Sequence, residues 1–296
     1  MESKIEKILK TGKRMDKGLY FLLEQVLIGG RLDYYELYIK LALEKGYIIT
    51  SYIDYLENYR GTGRKVMILR HDIDSFSKCS RQMFDIERSY GVKSTWYFRW
   101  CTLDKQLIAD MVKDGFEVGL HYETLAEYCT ATGVNRVTWE DIKKCREILK
   151  KEIRLFKEIT GIDIKTAASH GHRRNSELQV SNNVLLESQD YRDYGIVSEA
   201  YDREFYEKYV DVHIMDTNVL NNYGFAYRTN PIECIMDGQK LIVFLAHPDN
   251  WESSFFLSVK MLIKLIIGRY STNKCREFKR IDIRGLGHEG MHDFKE

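Results

Sequence analysis

The chain changes rhythm at about residue 66. Before that point apolar residues recur at helical spacing: Leu19, Leu22, Leu23, Val26 and Leu27, then Tyr38, Leu41, Leu43 and Tyr47, then Ile53, Tyr55, Leu56 and Tyr59. Gly29-Gly30 and Gly46 interrupt the series, so helices are expected over residues 1–60. From Val66 the pattern becomes strand, helix, strand, helix. Val66-Met67-Ile68-Leu69 is an unbroken apolar run that predicts a buried strand over 66–71. Further strands are expected over 94–99, 116–121, 164–169, 196–200, 210–215 and 241–246, the last being the clearest apolar run in the chain. Helices are expected over about 77–90, 104–113 and 138–160, each closed by a glycine. Pro231 and Gly238 bracket a short helix, and an amphipathic helix is expected over 253–270. Strands that alternate with helices predict an α/β fold with a mainly parallel sheet and right-handed crossovers. The simplest division is an N-terminal helical arm over 1–60, one α/β domain over 61–272 and a surface tail over 273–296.

At 296 residues the chain is long enough to give that domain a sizeable core. Its 45 basic and 44 acidic side chains leave a net charge of +1, so no nucleic-acid partner is expected. The six cysteines form no Cys-x-x-Cys pair and read as reduced packing residues of a reducing compartment. The stretch from Met1 to Arg14 mixes Lys and Glu with apolar residues and lacks the apolar run of a secretory signal. The most apolar run, Phe255 to Ile267, is broken by Lys260 and Lys264, so no membrane span is expected. A cytoplasmic protein is the expectation. The 20 tyrosines suit a cleft for sugars and other flat polar ligands as well as ordinary packing.

Candidate chemistry lies at the strand ends. The 66–71 strand runs into His71-Asp72-Ile73-Asp74. Asp72 and Asp74 share a face, because side chains alternate along an extended chain. They read as a metal ligand and a base, or as a strand end with a helix cap starting near Ser75. His71, His121, His170 and His247 each stand at or just past the C-terminal end of an expected strand. In a parallel barrel those ends lie on one face, so residues 72–74, 121, 170 and 247 are expected to converge. Arg99, Glu123, Arg173 and Arg174 fall at rim positions, whereas His213, His288 and His292 read as packed or solvated. One carboxylate and two imidazoles with open positions suit Zn²⁺ or a similar divalent ion. A second carboxylate can take a proton from water, and a histidine across the site can protonate a departing amine or alcohol. There is no Gly-x-Ser-x-Gly elbow and no phosphate-binding glycine loop.

Four short motifs occur in order: Leu-Arg-His-Asp-Ile-Asp at 69–74, Glu-Val-Gly-Leu-His-Tyr-Glu at 117–123, Ser-His-Gly at 169–171 and Ala-His-Pro at 246–248. As a set they resemble the polysaccharide deacetylase superfamily, the NodB-like carbohydrate esterases of family four, in a divergent branch with an Arg-His-Asp-x-Asp first motif. The resemblance spans about 66–252. It implies a distorted (β/α) barrel of about seven parallel strands and metal-dependent removal of acetyl groups from N-acetylated sugars. By position it implies Asp74 as a metal ligand, Asp72 as catalytic base and His247 as acid. The sequence departs from the main branch twice. Ile73 separates carboxylates that are adjacent there, and Leu125 stands where a second histidine follows His121 by four residues. The second histidine ligand is therefore sought in His170, with His172 as the alternative.

The expected ligands are thus Asp74, His121 and His170, for Zn²⁺ or else Co²⁺ or Ni²⁺. Arg99, Glu123 and Arg173 are expected as substrate contacts. The expected substrate is a small N-acetylated sugar or sugar precursor. One alternative is a C–N hydrolase acting on a non-sugar linear or cyclic amide, and another is a non-catalytic sugar-binding or assembly protein with the same fold. The apolar faces of 255–270 and of the N-terminal helices are candidates for a homo-oligomer interface, burial within the monomer being their other use.

Overall fold

The computed structural model describes residues 31–216 and 229–252. The helices expected before residue 31, the helix over 253–270 and the tail lie outside the described residues. The strands are β1 (Ile48–Thr50), β2 (Val66–Ile73), β3 (Thr95–Phe98), β4 (Glu117–Tyr122), β5 (Thr166–Ser169), β6 (Ser198–Glu199), β7 (Val212–Met215) and β8 (Leu241–Ala246). The sheet runs β6-β5-β4-β3-β2-β8-β7, and every pairing in it is parallel. All seven expected strands are therefore present in one parallel sheet. The eighth, β1, pairs with Val66–Ile68 of β2, whereas β3 pairs with Arg70–Ile73. These two short strands occupy successive stretches of one edge of β2. A three-residue strand is too short to show either alternation or an apolar run, so the sequence pattern gives no sign of it.

β1 changes the place of the residues before 61. Helix α1 (Arg31–Glu44) buries Tyr34, Tyr35, Tyr38, Ile39, Leu41 and Ala42 along one face. That face packs into the same core as Met67 and Leu69 of β2 and Phe244 of β8. The boundary expected at residue 61 therefore falls inside a shared core, and residues 31–60 supply a helix and a strand to it. The long helix α5 (Trp139–Thr160) agrees closely with its sequence. Thr138 and Asp141 form a reciprocal capping box, and Gly161 ends the helix at φ 76°, a conformation that costs glycine little.

The sheet curls. Arg70 of β2 donates to the Ala200 carbonyl just past β6 at 3.1 Å, and Tyr52 hydrogen-bonds Ser198 of β6 at 2.9 Å. Strands four places apart in the order thus meet across a concave interior, which makes the fold a distorted (β/α) barrel; β6 and β7 end the strand path without pairing among the described residues. That interior is polar at mid-height. The Glu117 carboxylate accepts from the Ile53 backbone N–H at 2.9 Å, from Thr95 at 2.7 Å and from Thr166 at 2.5 Å. Tyr97 fills the space beside Gly119. A Cβ at that glycine would meet the Thr166 carbonyl oxygen at 2.5 Å and the Tyr97 ring at 2.6 Å, so the position admits no side chain.

Candidate metal centre

Side-chain parity decides what reaches the barrel mouth. Along β2, Arg70 and Asp72 face the interior, and Asp74 follows them just beyond the strand. β4 brings His121 to the same level, with Glu123 two residues on, and His170 follows β5 as His247 follows β8. Asp74 Oδ1 lies 3.3 Å from His121 Nε2 and 3.3 Å from His170 Nε2. Asp74, His121 and His170 each offer a ligand atom within 4.8 Å of the others. His247 Nε2 is 3.9 Å from Asp74 Oδ2, and Asp72 Oδ2 is 3.4 Å from His121 Nε2. Residues from positions 72 to 247 thus converge on one small volume.

The far nitrogens of the two imidazoles test whether a metal ion would fit. His121 Nδ1 is 3.0 Å from the Ala168 carbonyl, which can only accept. His170 Nδ1 is 2.9 Å from Glu123 Oε1. A neutral ring at either position would therefore carry its hydrogen on Nδ1 and turn its Nε2 lone pair toward Asp74. A carboxylate or carbonyl behind a histidine is the usual outer support of a metal ligand. His172 is arranged the other way. Its Nδ1 accepts from the Arg174 backbone N–H at 3.0 Å and caps helix α6 (Arg173–Leu178), so the neutral ring carries its hydrogen on Nε2, 4.0 Å from Glu127. The donor set Asp74, His121 and His170 fits a divalent ion, and His172 does not join it.

Two buried charge pairs flank this set. The Arg70 guanidinium grips Asp72 with both oxygens engaged, at 2.8 and 2.7 Å. Burial alone would raise the Asp72 carboxyl; the Arg70 charge, with His121 beyond it, outweighs burial and holds the group below the usual carboxylate range. Tyr201 adds its hydroxyl at 3.4 Å from Asp72 Oδ2 and lays its ring over the Arg70 guanidinium at 4.0 Å. On the other side, His247 Nδ1 is 2.6 Å from Asp216 Oδ1, and Asp216 Oδ2 accepts from the His247 backbone N–H at 2.8 Å and from Trp251 Nε1 at 2.6 Å. Burial pushes the His247 imidazolium down, but Asp216, with Asp74 and Asp72 behind it, pushes it up to about 10.

Arg99 ties the rim together. It grips Glu123 at 2.8 and 2.9 Å and donates to the Asp74 carbonyl at 2.6 Å. Burial raises the Glu123 carboxyl, but His170 and Arg99 bring it down to about 2, so it stays charged behind His170. Ser75, next to Asp74, donates to Asp249 at 2.9 Å.

One expected member stands elsewhere, as does one strand-end histidine that was not expected in the set. Arg173 projects from α6 with its side chain 84% exposed and pairs with Glu177 at 3.1 Å, so it has no contact with the cluster among the described residues. His71 alternates with Asp72 and therefore points out of the barrel. It stacks on Trp96 at 3.8 Å and meets the buried Glu87 at 2.6 Å, where Tyr35 and Ser94 also donate. Parity along β2 thus keeps it out of the converging set, in which it was not expected. Sequence reasoning also passed over Arg70 and Asp216. Both signals were available, since Arg70 shares the face of Asp72 and Asp216 directly follows an expected strand, as Asp72 and His247 do.

No protein-family model matches the sequence. No curated protein matches it either. Among solved structures, the chain is similar to a family 4 carbohydrate esterase from Bacillus anthracis, with 15% identity over 80% of this chain and 88% of that one and a TM-score of 0.37. It is similar to the chitin deacetylase of the fungal pathogen Colletotrichum lindemuthianum, with 14% identity over 69% and 82% and a TM-score of 0.33. A CE4 family pseudoenzyme from Bacillus anthracis matches with 15% identity over 70% of this chain and a TM-score of 0.36, and the chain spans 63% of that protein's length. Strand order and register define the fold without these likenesses.

Proposed function

We propose that the protein is a metal-dependent hydrolase that removes an acetyl group from an N-acetylated sugar. The observation that carries this reading is the convergence of Asp74, His121 and His170, whose imidazoles both have their far nitrogens tied and their near nitrogens turned to one carboxylate oxygen. Zn²⁺ is the proposed ion, with Co²⁺ or Ni²⁺ as alternatives. When bound, it would polarise the amide carbonyl and acidify a water molecule. The chain supplies the rest. Asp72, kept ionised by Arg70, takes the proton of the attacking water. His247, kept protonated by Asp216, gives its Nε2 proton to the departing amine nitrogen. Neutralising Asp74 with a cation would lower the His247 imidazolium from its present height, because part of that height comes from Asp74. Arg99 and Glu123 fix the outer support of Asp74 and His170 and leave substrate contact a secondary role for them.

The test is metal content by elemental mass spectrometry beside acetate release from a panel of N-acetyl sugars and of linear and cyclic amides. About one divalent ion per chain is expected in wild type and none in His121→Ala, with turnover lost in the same variant. A wild type that takes up no metal sinks the reading. Metal with release from amides alone moves the protein to a non-sugar C–N hydrolase, and metal without any turnover moves it to a binding protein.

A further inference from the structure

His247 and Trp251 open and close one short turn and meet on the same carboxylate. His247 caps the helical turn Pro248–Trp251, which follows β8. The two oxygens of Asp216 are used differently. Oδ2 takes the His247 backbone N–H at 2.8 Å and the Trp251 indole N–H at 2.6 Å, which fills both of its lone pairs. Oδ1 is left for His247 Nδ1, at 2.6 Å. A carboxylate pinned in this way cannot swivel. The imidazole it grips is therefore held at one angle, with Nε2 on the side of Asp74 at 3.9 Å.

The backbone gives Asp216 little of this constraint, since the residue directly follows β7, the last strand of the path. The indole supplies it, because it has no room to turn away. Trp251 is 5% exposed. Tyr35 of α1 meets its ring edge-on at 5.4 Å, Tyr38 of α1 does so at 6.2 Å, and Phe244 of β8 lies at 6.4 Å. Tyr35 is itself fixed, because its hydroxyl donates to the buried Glu87. Arg31, the first residue of α1, donates to the Asn250 carbonyl within the turn. Helix α1 thus holds the turn both by its backbone and by its indole. A phenylalanine would fill the same aromatic cluster, but it would leave Oδ2 with an open lone pair and Asp216 free to rotate.

We infer that Trp251 is a positioning residue for the proposed proton donor: backed by α1, it fixes the Asp216 carboxylate and thereby the angle of the His247 ring. The role of His247 as donor rests on the deacetylase reading; the alignment of its ring does not. Residues 31–44 on this view serve the chemistry from behind, through the side chains that pack against the indole.

Proton NMR of the full chain tests the alignment without any need for turnover. A proton shared between His247 Nδ1 and Asp216 at 2.6 Å should resonate far downfield of the amide envelope, and its loss in His247→Gln assigns it. In Trp251→Phe the resonance is expected to move upfield and to broaden through exchange with water. Tyr38→Leu, which takes a ring from the back of the indole and leaves its N–H, should shift it the same way by less, and is the variant to read if Trp251→Phe does not fold. Kinetics then separate positioning from packing. Trp251→Phe should lower kcat on an N-acetyl sugar roughly ten-fold with KM unchanged, yet leave 4-nitrophenyl acetate within about two-fold, because nitrophenolate departs without a proton. Met111→Ala, a core truncation in the helix over 105–113, should lower both substrates alike. A resonance that keeps its position and width in the variants, or amide and ester rates that fall together in Trp251→Phe, overturns the inference. A resonance that shifts as expected in a protein that releases no acetate leaves the alignment standing and removes the deacetylase reading. Acetate release with an unmoved resonance does the reverse.

Discussion

At the scale of single residues, the charges at the barrel mouth come in pairs, and each pair has a cost if it is broken. Arg70 and Asp72 are both buried, at 2% and 1% exposure, so neither can turn to water. Arg70→Met should therefore destabilise the metal-free protein by about 3–5 kcal/mol, because it strands a buried carboxylate. Urea denaturation of chelator-treated protein measures this, and the Arg70→Met/Asp72→Asn double variant should recover part of the loss. Glu152 of α5 offers a cleaner titration, away from the proposed ligands. Burial pushes its carboxyl up to about 7, although Thr124 and Trp100 both donate to it. A carboxyl raised in the folded state stabilises below its unfolded value and loses that contribution as pH climbs through the folded one. Wild type should thus lose about 2 kcal/mol relative to Glu152→Gln between pH 5 and pH 8. A pH-independent difference between the two proteins would contradict the burial of this group.

At the scale of elements, strands carry the site and parity sorts its members. Gly119→Ala places a methyl carbon against a backbone carbonyl and a ring that is itself held by Thr166 at 2.7 Å. Neither neighbour can yield cheaply, so a loss of about 3 kcal/mol is expected in a thermal or chemical melt. β2 and β8 were legible as runs of buried apolar residues that lead into ionisable ones, and the proposed ligands were legible because they stand at or near strand ends. The alternation that puts Asp72 and Asp74 on one face also sends His71 to the other, where it lies against Trp96 and Glu87 while Asp72 lies against Arg70. β1 escaped notice because three residues carry no period; its place is set by pairing with β2 and by the packing of α1 above it. Arg173 was expected at the rim, yet α6 turns it outward.

At the scale of the molecule, the parts of the proposed machinery are not equally secure. Asp72, Asp74, His121 and His170 hang from β2, β4 and β5, which have partners on both sides. The partner of His247 hangs from β7, which ends the strand path, pairs with β8 alone among the described residues and buries only Ile214 of its four residues. Strands of this kind open before the whole chain unfolds. Peeling of β7 would carry Asp216 away from His247 and Trp251 and would leave the three proposed ligands where they are. On warming, acetate release should then fail at a lower temperature than metal retention, a gap that a colorimetric chelator in the assay would register. The protein would pass through a form that is loaded but silent. A temperature-sensitive proton donor beside a robust metal centre also gives selection, or an engineer, a single edge strand on which to adjust working temperature without disturbing what the centre holds.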